Sequence, residues 1–223
     1  MKRSEVAQMM DLSVLRADST RADVLAGCRL GIEHQVKSVI VLPCWLDDVV
    51  EALRGAKVLP SVVLDFPFGG ETPAIKAAGA KEAAKRGALE LDMVLSIGKL
   101  RDGRKDFVRD DIKGVVKAAK AVNPKALVKV ILETGYLDDD QKKLACELSE
   151  EAGADFVKTS TGFGPRGATL EDIRLMRASV SKRVGVKASG GIRDWATAAA
   201  MIAAGATRLG CSNPAAILDG MPK

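Results

Sequence analysis

Three ionisable residues break apolar runs in a way that could support carbonyl chemistry. Lys158 closes Asp155-Phe156-Val157-Lys158, Lys187 closes Val184-Gly185-Val186-Lys187, and Asp92 sits within Leu91-Asp92-Met93-Val94. Both lysines follow apolar residues and precede small ones, Thr159-Ser160-Thr161-Gly162 in one case and Ala188-Ser189-Gly190-Gly191 in the other. Taken alone, a lysine at a strand end is a solvated charge. Two that converge on one pocket depress each other's pKa, and desolvation adds to the effect, moving an amine from about 10.4 toward neutrality. A neutral amine can attack a carbonyl. For Asp92 there are two readings: a structural ion pair, because a carboxylate is hard to bury without a partner, or a proton relay beside a Schiff-base amine.

An anion site has its own candidates. Ser189-Gly190-Gly191 and Gly210-Cys211-Ser212-Asn213 offer backbone N–H groups and hydroxyls of the kind that bind phosphate at the mouth of a barrel. A Gly-Gly pair is by itself an ordinary turn signal, but here it falls between Lys187 and the start of the next helical pattern.

These residues need a scaffold, and the chain supplies a repeated one. Arg86-Gly87-Ala88 precedes Leu89 to Leu95, Ala152-Gly153-Ala154 precedes Asp155 to Lys158, and Ala204-Gly205-Ala206 precedes Thr207 to Gly210. Each join reads as helix, glycine stop, strand. Further apolar runs lie at Val39 to Leu42, Val62 to Leu64, Val128 to Leu132 and Val184 to Lys187, which is the pattern of parallel strands covered on both faces. Helical stretches separate them: Thr72 to Arg86, Asp110 to Ala121, Asp138 to Ala152, Thr169 to Ser179 and Asp194 to Ala204. Thr169 with Asp172, and Asp138 with Gln141, mark helix starts. With a first strand near Met9 to Leu12 there are eight strands alternating with helices, which predicts an α/β fold of the (β/α)8 TIM barrel type, one domain over residues 1–223. The alternative is a flavodoxin-like open sheet, which needs only about five strands.

Composition narrows the function classes. The 47% hydrophobic and 28% charged fractions are those of a folded globular chain. The net charge of +5 is spread along the sequence and not interleaved with aromatics, so it reads as a solvated surface and argues against nucleic acid as a partner. Cys28, Cys44, Cys146 and Cys211 form no CxxC pair, and the single histidine, His34, gives them no metal cluster, so buried or half-buried thiols in a reducing cytoplasm are expected. The opening residues Met1-Lys2-Arg3-Ser4 do not read as a signal peptide, and no run reaches the length of a membrane span. Trp45 and Trp195 read as packing residues, Cys44 as an inert buried thiol, and Asp138-Asp139-Asp140 as a favourable acidic helix start.

The two lysine segments, together with Met10-Asp11-Leu12-Ser13, Asp65-Phe66-Pro67-Phe68-Gly69 and Gly190-Gly191-Ile192-Arg193, make the chain resemble the deoxyribose-phosphate aldolases from about Met10 to Leu218. That resemblance implies reversible cleavage of 2-deoxy-D-ribose 5-phosphate to D-glyceraldehyde 3-phosphate and acetaldehyde, with no metal or organic cofactor. It places the Schiff-base lysine on Lys158, the second lysine on Lys187 and the proton-handling aspartate on Asp92. Asp11, at the end of the first strand, would orient the substrate or the Lys187 ammonium. Thr161, Gly162, Ser189, Gly190, Gly191, Ser212 and Asn213 would bind substrate. A cytoplasmic homo-oligomer acting in deoxyribose phosphate catabolism on phosphosugar and aldehyde substrates is the further expectation.

Two positions depart from the common pattern of that family: Leu42 stands where many relatives carry a polar or aromatic residue, and Asn213 replaces the second serine of a frequent pair. They leave open a related Schiff-base aldolase acting on another phosphorylated sugar or on unphosphorylated aldehydes. A barrel that binds phosphosugars without catalysis is a third reading, opposed by the presence of both lysines and Asp92. The C-terminal tyrosine that some members of that family use to assist proton transfer has no counterpart in Leu218-Asp219-Gly220-Met221-Pro222-Lys223, and Tyr136 is the sole tyrosine. An enamine would therefore be protonated through Asp92, water or another group.

Overall fold

Eight parallel strands close on themselves in sequence order: β1 (Met10–Val14), β2 (Ser38–Val41), β3 (Leu59–Leu64), β4 (Glu90–Val94), β5 (Leu127–Ile131), β6 (Phe156–Lys158), β7 (Gly185–Ser189) and β8 (Arg208–Cys211). The computed structural model describes residues 1–222. Closure comes from β8 pairing with β1, Met10 against Leu209 and Asp11 against Gly210, so the structure is the (β/α)8 barrel and not an open sheet. Strands buried on both faces carry near-continuous Val, Leu and Ile, as in Val62, Val63 and Leu64 or Val128, Val130 and Ile131.

The helices are α1 (Arg3–Ala7), α2 (Arg21–Glu33), α3 (Leu46–Ala52), α4 (Pro73–Lys85), α5 (Ile97–Arg101), α6 (Lys105–Val122), α7 (Asp139–Glu151), α8 (Leu170–Ser179), α9 (Trp195–Ala203) and α10 (Pro214–Asp219). None among the described residues is long and apolar enough to cross a membrane. The expected starts of α7 and α8 hold: the Asp138 carboxylate accepts from Gln141 N (2.8 Å) while Gln141 accepts from Asp138 N, and Thr169 Oγ1 accepts from Asp172 N (3.1 Å). Gly153 and Gly205, with φ of 87° and 115°, end α7 and α9 in the left-handed region that glycine enters without a Cβ clash. Helix α6 begins at Lys105, five residues before the expected Asp110, because Val108 and Ile112 already pack into the core.

Two strand boundaries move the chemistry. The first strand is Met10–Val14 instead of Met9 to Leu12, and the seventh is Gly185–Ser189 instead of Val184 to Lys187. Asp11 therefore lies near the start of β1 rather than at its end, and Lys187 lies mid-strand. The thiol expectation needs one correction: Cys28, Cys146 and Cys211 are buried, but Cys44 is exposed, carried outward on the short 3-10 turn Pro43–Trp45. Trp45 and Trp195 are partly buried and pack against the core as expected.

Candidate active site

In a parallel strand alternate side chains share a face, so Glu90 and Asp92 of β4 both point into the barrel. Lys129 of β5, Lys158 of β6, Lys187 of β7, Arg208 of β8 and Asp11 of β1 join them. Register makes this a compact set: Asp92 pairs with Lys129 across β4–β5, Lys158 with Lys187 across β6–β7, and Lys187 with Arg208 across β7–β8. The two lysines singled out in the sequence thus stand side by side although 29 positions apart in the chain.

Asp92 is the hub. Its Oδ2 accepts from Lys158 Nζ and from Lys187 Nζ, each at 2.8 Å, and its Oδ1 accepts from Lys129 Nζ at 2.7 Å. Asp11 is the second hub, accepting from Lys187 Nζ (2.5 Å), Arg208 Nη1 (2.6 Å) and Ser38 Oγ (2.7 Å). Glu90 lies deeper, 2.7 Å from Lys129 Nζ and 2.8 Å from Arg208 Nη1. Both hub aspartates are wholly buried. Of the two partners expected for Asp11, the substrate and Lys187, the structure places Lys187 within hydrogen-bond distance.

Charge counting explains the electrostatics. Asp11, Glu90 and Asp92 face Lys129, Lys158, Lys187 and Arg208, so the fully ionised set carries one surplus positive charge in a space where charge is costly. Burial alone would raise the Asp92 carboxyl, but Lys129, Lys158 and Lys187 reverse this and hold it well below the usual carboxylate range. For Lys129, burial is outweighed by Asp11, Asp92 and Glu90, and its pKa is raised. The surplus falls on Lys158. Burial lowers its pKa, Asp92 opposes, Lys187 adds to the lowering, and the amine ends at about 8. At neutral pH a group with that value is unprotonated in roughly a tenth of molecules, against a few in ten thousand for an ordinary lysine.

Above this network opens a cavity of about 260 Å³. Its lining includes Lys158, Lys187, Asp11, Thr161, Gly162, Ser189, Gly190, Gly191 and Ser212. Successive left-handed residues, Gly190 (φ 87°) and Gly191 (φ 86°), carry the backbone past the mouth. Two expected residues are absent from the lining. Asp92 lies beneath the lysines, and Asn213 is turned away because its carboxamide oxygen caps α10, accepting from Ala216 N at 3.3 Å. Leu42 also lies outside it, half-buried ahead of the 3-10 turn. The Thr161 hydroxyl is committed as well: it donates to Glu133 and accepts from Phe163 N.

Sequence reasoning passed over Glu90, Lys129 and Arg208, and also the cavity-lining Arg16, Phe163 and Arg193. A signal existed for the first two. Glu90 precedes Asp92 by two residues and so shares its face, and Lys129 interrupts Val128 to Leu132 just as Lys158 closes its own run.

Comparison with known proteins follows the same line. A family model described as "DeoC/LacD family aldolase" matches residues 5–217. A deoxyribose-phosphate aldolase of Carboxydothermus hydrogenoformans is 50% identical over 218 residues, covering 98% of this chain and 96% of that protein. One from Enterococcus faecalis is 49% identical over 216 residues, 97% of each. The solved tetrameric deoxyribose phosphate aldolase of Aeropyrum pernix superposes with a TM-score of 0.91 at 30% identity, covering 98% of this chain and 91% of that one.

Proposed function

The chain belongs to the DeoC/LacD family of aldolases, and on that footing we propose that it cleaves 2-deoxy-D-ribose 5-phosphate reversibly to D-glyceraldehyde 3-phosphate and acetaldehyde through an imine on Lys158. The observation that carries the lysine assignment is the Lys158 amine itself: it borders the cavity, has Asp92 as its carboxylate partner, and has a pKa brought down to about 8.

In this reading the neutral Lys158 amine adds to C1 of the open-chain sugar, forming a C–N bond while its proton passes toward Asp92. Water leaves the carbinolamine and a protonated imine remains. The C2–C3 bond then breaks: its electron pair moves into the imine to give an enamine, and the C3 hydroxyl loses its proton and becomes the aldehyde of the phosphorylated product. Protonation of the enamine at C2 and addition of water release acetaldehyde and return the amine. Lys187, sharing Asp92 Oδ2 with Lys158, keeps a second positive charge beside the reacting nitrogen and disfavours protonation of the free amine. Asp92 and Lys187 together form a proton path that stays inside the barrel.

The phosphate end is assigned to the part of the lining that carries the Gly190 and Gly191 backbone, Ser212, Arg193 and Arg16. Neither Leu42 nor Asn213 is part of the cavity lining. The tetrameric relative supports a homo-oligomeric assembly for this chain too, and the proposed cleavage would place the chain in deoxyribose phosphate catabolism in the cytoplasm.

Borohydride reduction in the presence of deoxyribose 5-phosphate, followed by peptide mass spectrometry, should locate a reduced acetaldehyde adduct on Lys158 and lose it in Lys158→Ala. An adduct that persists in that variant, or maps to Lys187, sinks the assignment.

A further inference from the structure

One buried carboxylate of the site stands outside the network already described. Glu133 follows β5, is 1% exposed, and has a left-handed backbone (φ 53°) in a residue that carries a Cβ. Such a conformation is costly for a residue with a Cβ and persists only where the surroundings enforce it. The hydrogen bonds of its carboxylate all come from one residue of the next loop. Thr161 N lies 3.3 Å from Oε1 and 3.2 Å from Oε2, and the Thr161 hydroxyl donates to Oε2. Burial pushes the Glu133 carboxyl up, while its bonds to Thr161 and the nearby charge of Lys158 pull it back.

The loop it holds is the wall of the cavity. Thr161, Gly162 and Phe163 line it, and Thr161 Oγ1, fixed by Glu133, in turn accepts from Phe163 N at 3.0 Å. Gly164 closes over the same carboxylate: a Cβ there would come within 2.7 Å of Glu133 Cδ. Thr134 N, next in the chain, donates to Thr159 O at 3.0 Å, and Arg166 Nη2 donates to Thr134 O at 3.2 Å. Two consecutive loops are thus joined along their length, and Glu133 is the join that reaches residues facing the substrate.

We propose that Glu133 is a positioning residue for substrate binding: through Thr161 it fixes the segment 161–163 as one wall of the cavity beside Lys158, and it does so by accepting hydrogen bonds rather than by its charge. This deepens the aldolase reading and rests on it.

The test is steady-state cleavage of deoxyribose 5-phosphate by the full chain and by Glu133→Ala, Glu133→Gln and Thr161→Val. Loss of these hydrogen bonds in Glu133→Ala should raise KM about tenfold or more. Borohydride trapping of acetaldehyde on Lys158, which needs the amine but little of the wall, should fall by much less than that. Glu133→Gln should recover most of the KM loss, since one amide oxygen can accept from both Thr161 N and Thr161 Oγ1. Thr161→Val, which leaves Glu133 in place and keeps the Thr161 N bond while removing the hydroxyl's bonds to Glu133 and Phe163 N, should raise KM in the same direction by a smaller factor, and it reports on the anchor even where Glu133→Ala does not fold. An unchanged KM in Glu133→Ala or in Thr161→Val overturns the inference alone, as does a Gln variant no better than Ala, which would make the charge the active feature. No cleavage by the unaltered chain overturns the aldolase reading and this inference with it.

Discussion

The barrel interior and the seam between α4 and α6 both bury charge, yet they resolve it in opposite ways. In the seam, Lys76 Nζ donates to Asp111 Oδ2 (2.7 Å), Val94 O (3.1 Å) and Ser96 Oγ (3.1 Å), with Asp65 Oδ2 at 3.2 Å. That lone ammonium faces two carboxylates and is surrounded by acceptors; the surplus there is negative, and Asp111 Oδ1 is left without a partner. Inside the barrel the surplus is positive and falls on the amine with least support, Lys158. Burial by itself therefore does not make a lysine reactive. What matters is the local ratio of cations to carboxylates and which cation has fewest acceptors around it.

That contrast can be broken in three places. Removing the seam cation by Lys76→Met strands Asp65 and Asp111, and unfolding free energy should drop by about 3–5 kcal/mol in urea titration. A loss under about 1 kcal/mol would mean that the seam pairs behave like exposed ones. Lys158→Met should go the other way, removing the surplus charge from the barrel and stabilising the fold by about 1–3 kcal/mol at pH 7 while ending activity. The sign follows from its lowered pKa: the folded chain binds fewer protons than the unfolded chain between about 8 and the ordinary 10.5, so wild-type stability rises with pH across that window. The benefit of Lys158→Met is then complete below pH 8 and fades toward pH 10.5. A destabilised Lys158→Met at pH 7 would refute the surplus-charge account. The smallest effect concerns tuning. Because Lys187 lowers the Lys158 value, Lys187→Ala should move the rising limb of the pH–rate profile upward by about one unit, beyond its cost in rate. A limb that stays put, or moves down, would leave desolvation as the whole cause.

How far the sequence could be read depended on whether a signal was local. Helix stops at Gly153 and Gly205 and starts at Asp138 and Thr169 follow from chemistry within a few residues, and they hold in the fold. Lys158, Lys187 and Asp92 were legible because a charge within an apolar strand has no local excuse. Glu90 carried the same mark and shares the Asp92 face by its spacing of two, whereas for Lys129 only register shows that it meets Asp92. Glu133 had no legible mark at all: it follows a strand, where an acidic residue is ordinary, and its meaning lies in a loop 28 residues further on. Asn213 and Cys44 were misplaced for the converse reason. Cap formation turned one side chain away from the cavity, and a 3-10 turn carried the other into solvent.

By itself, then, the chain's pattern determined eight buried strands alternating with helices, the sites where helices end, and the small set of residues able to do amine chemistry, since each is a consequence of short-range sterics or of burying a charge. Only barrel closure decided which cations meet which carboxylates. That pairing sets the balance of charge inside a low-dielectric space, and the balance, not the identity of any single lysine, leaves Lys158 as the amine that can shed its proton near neutral pH.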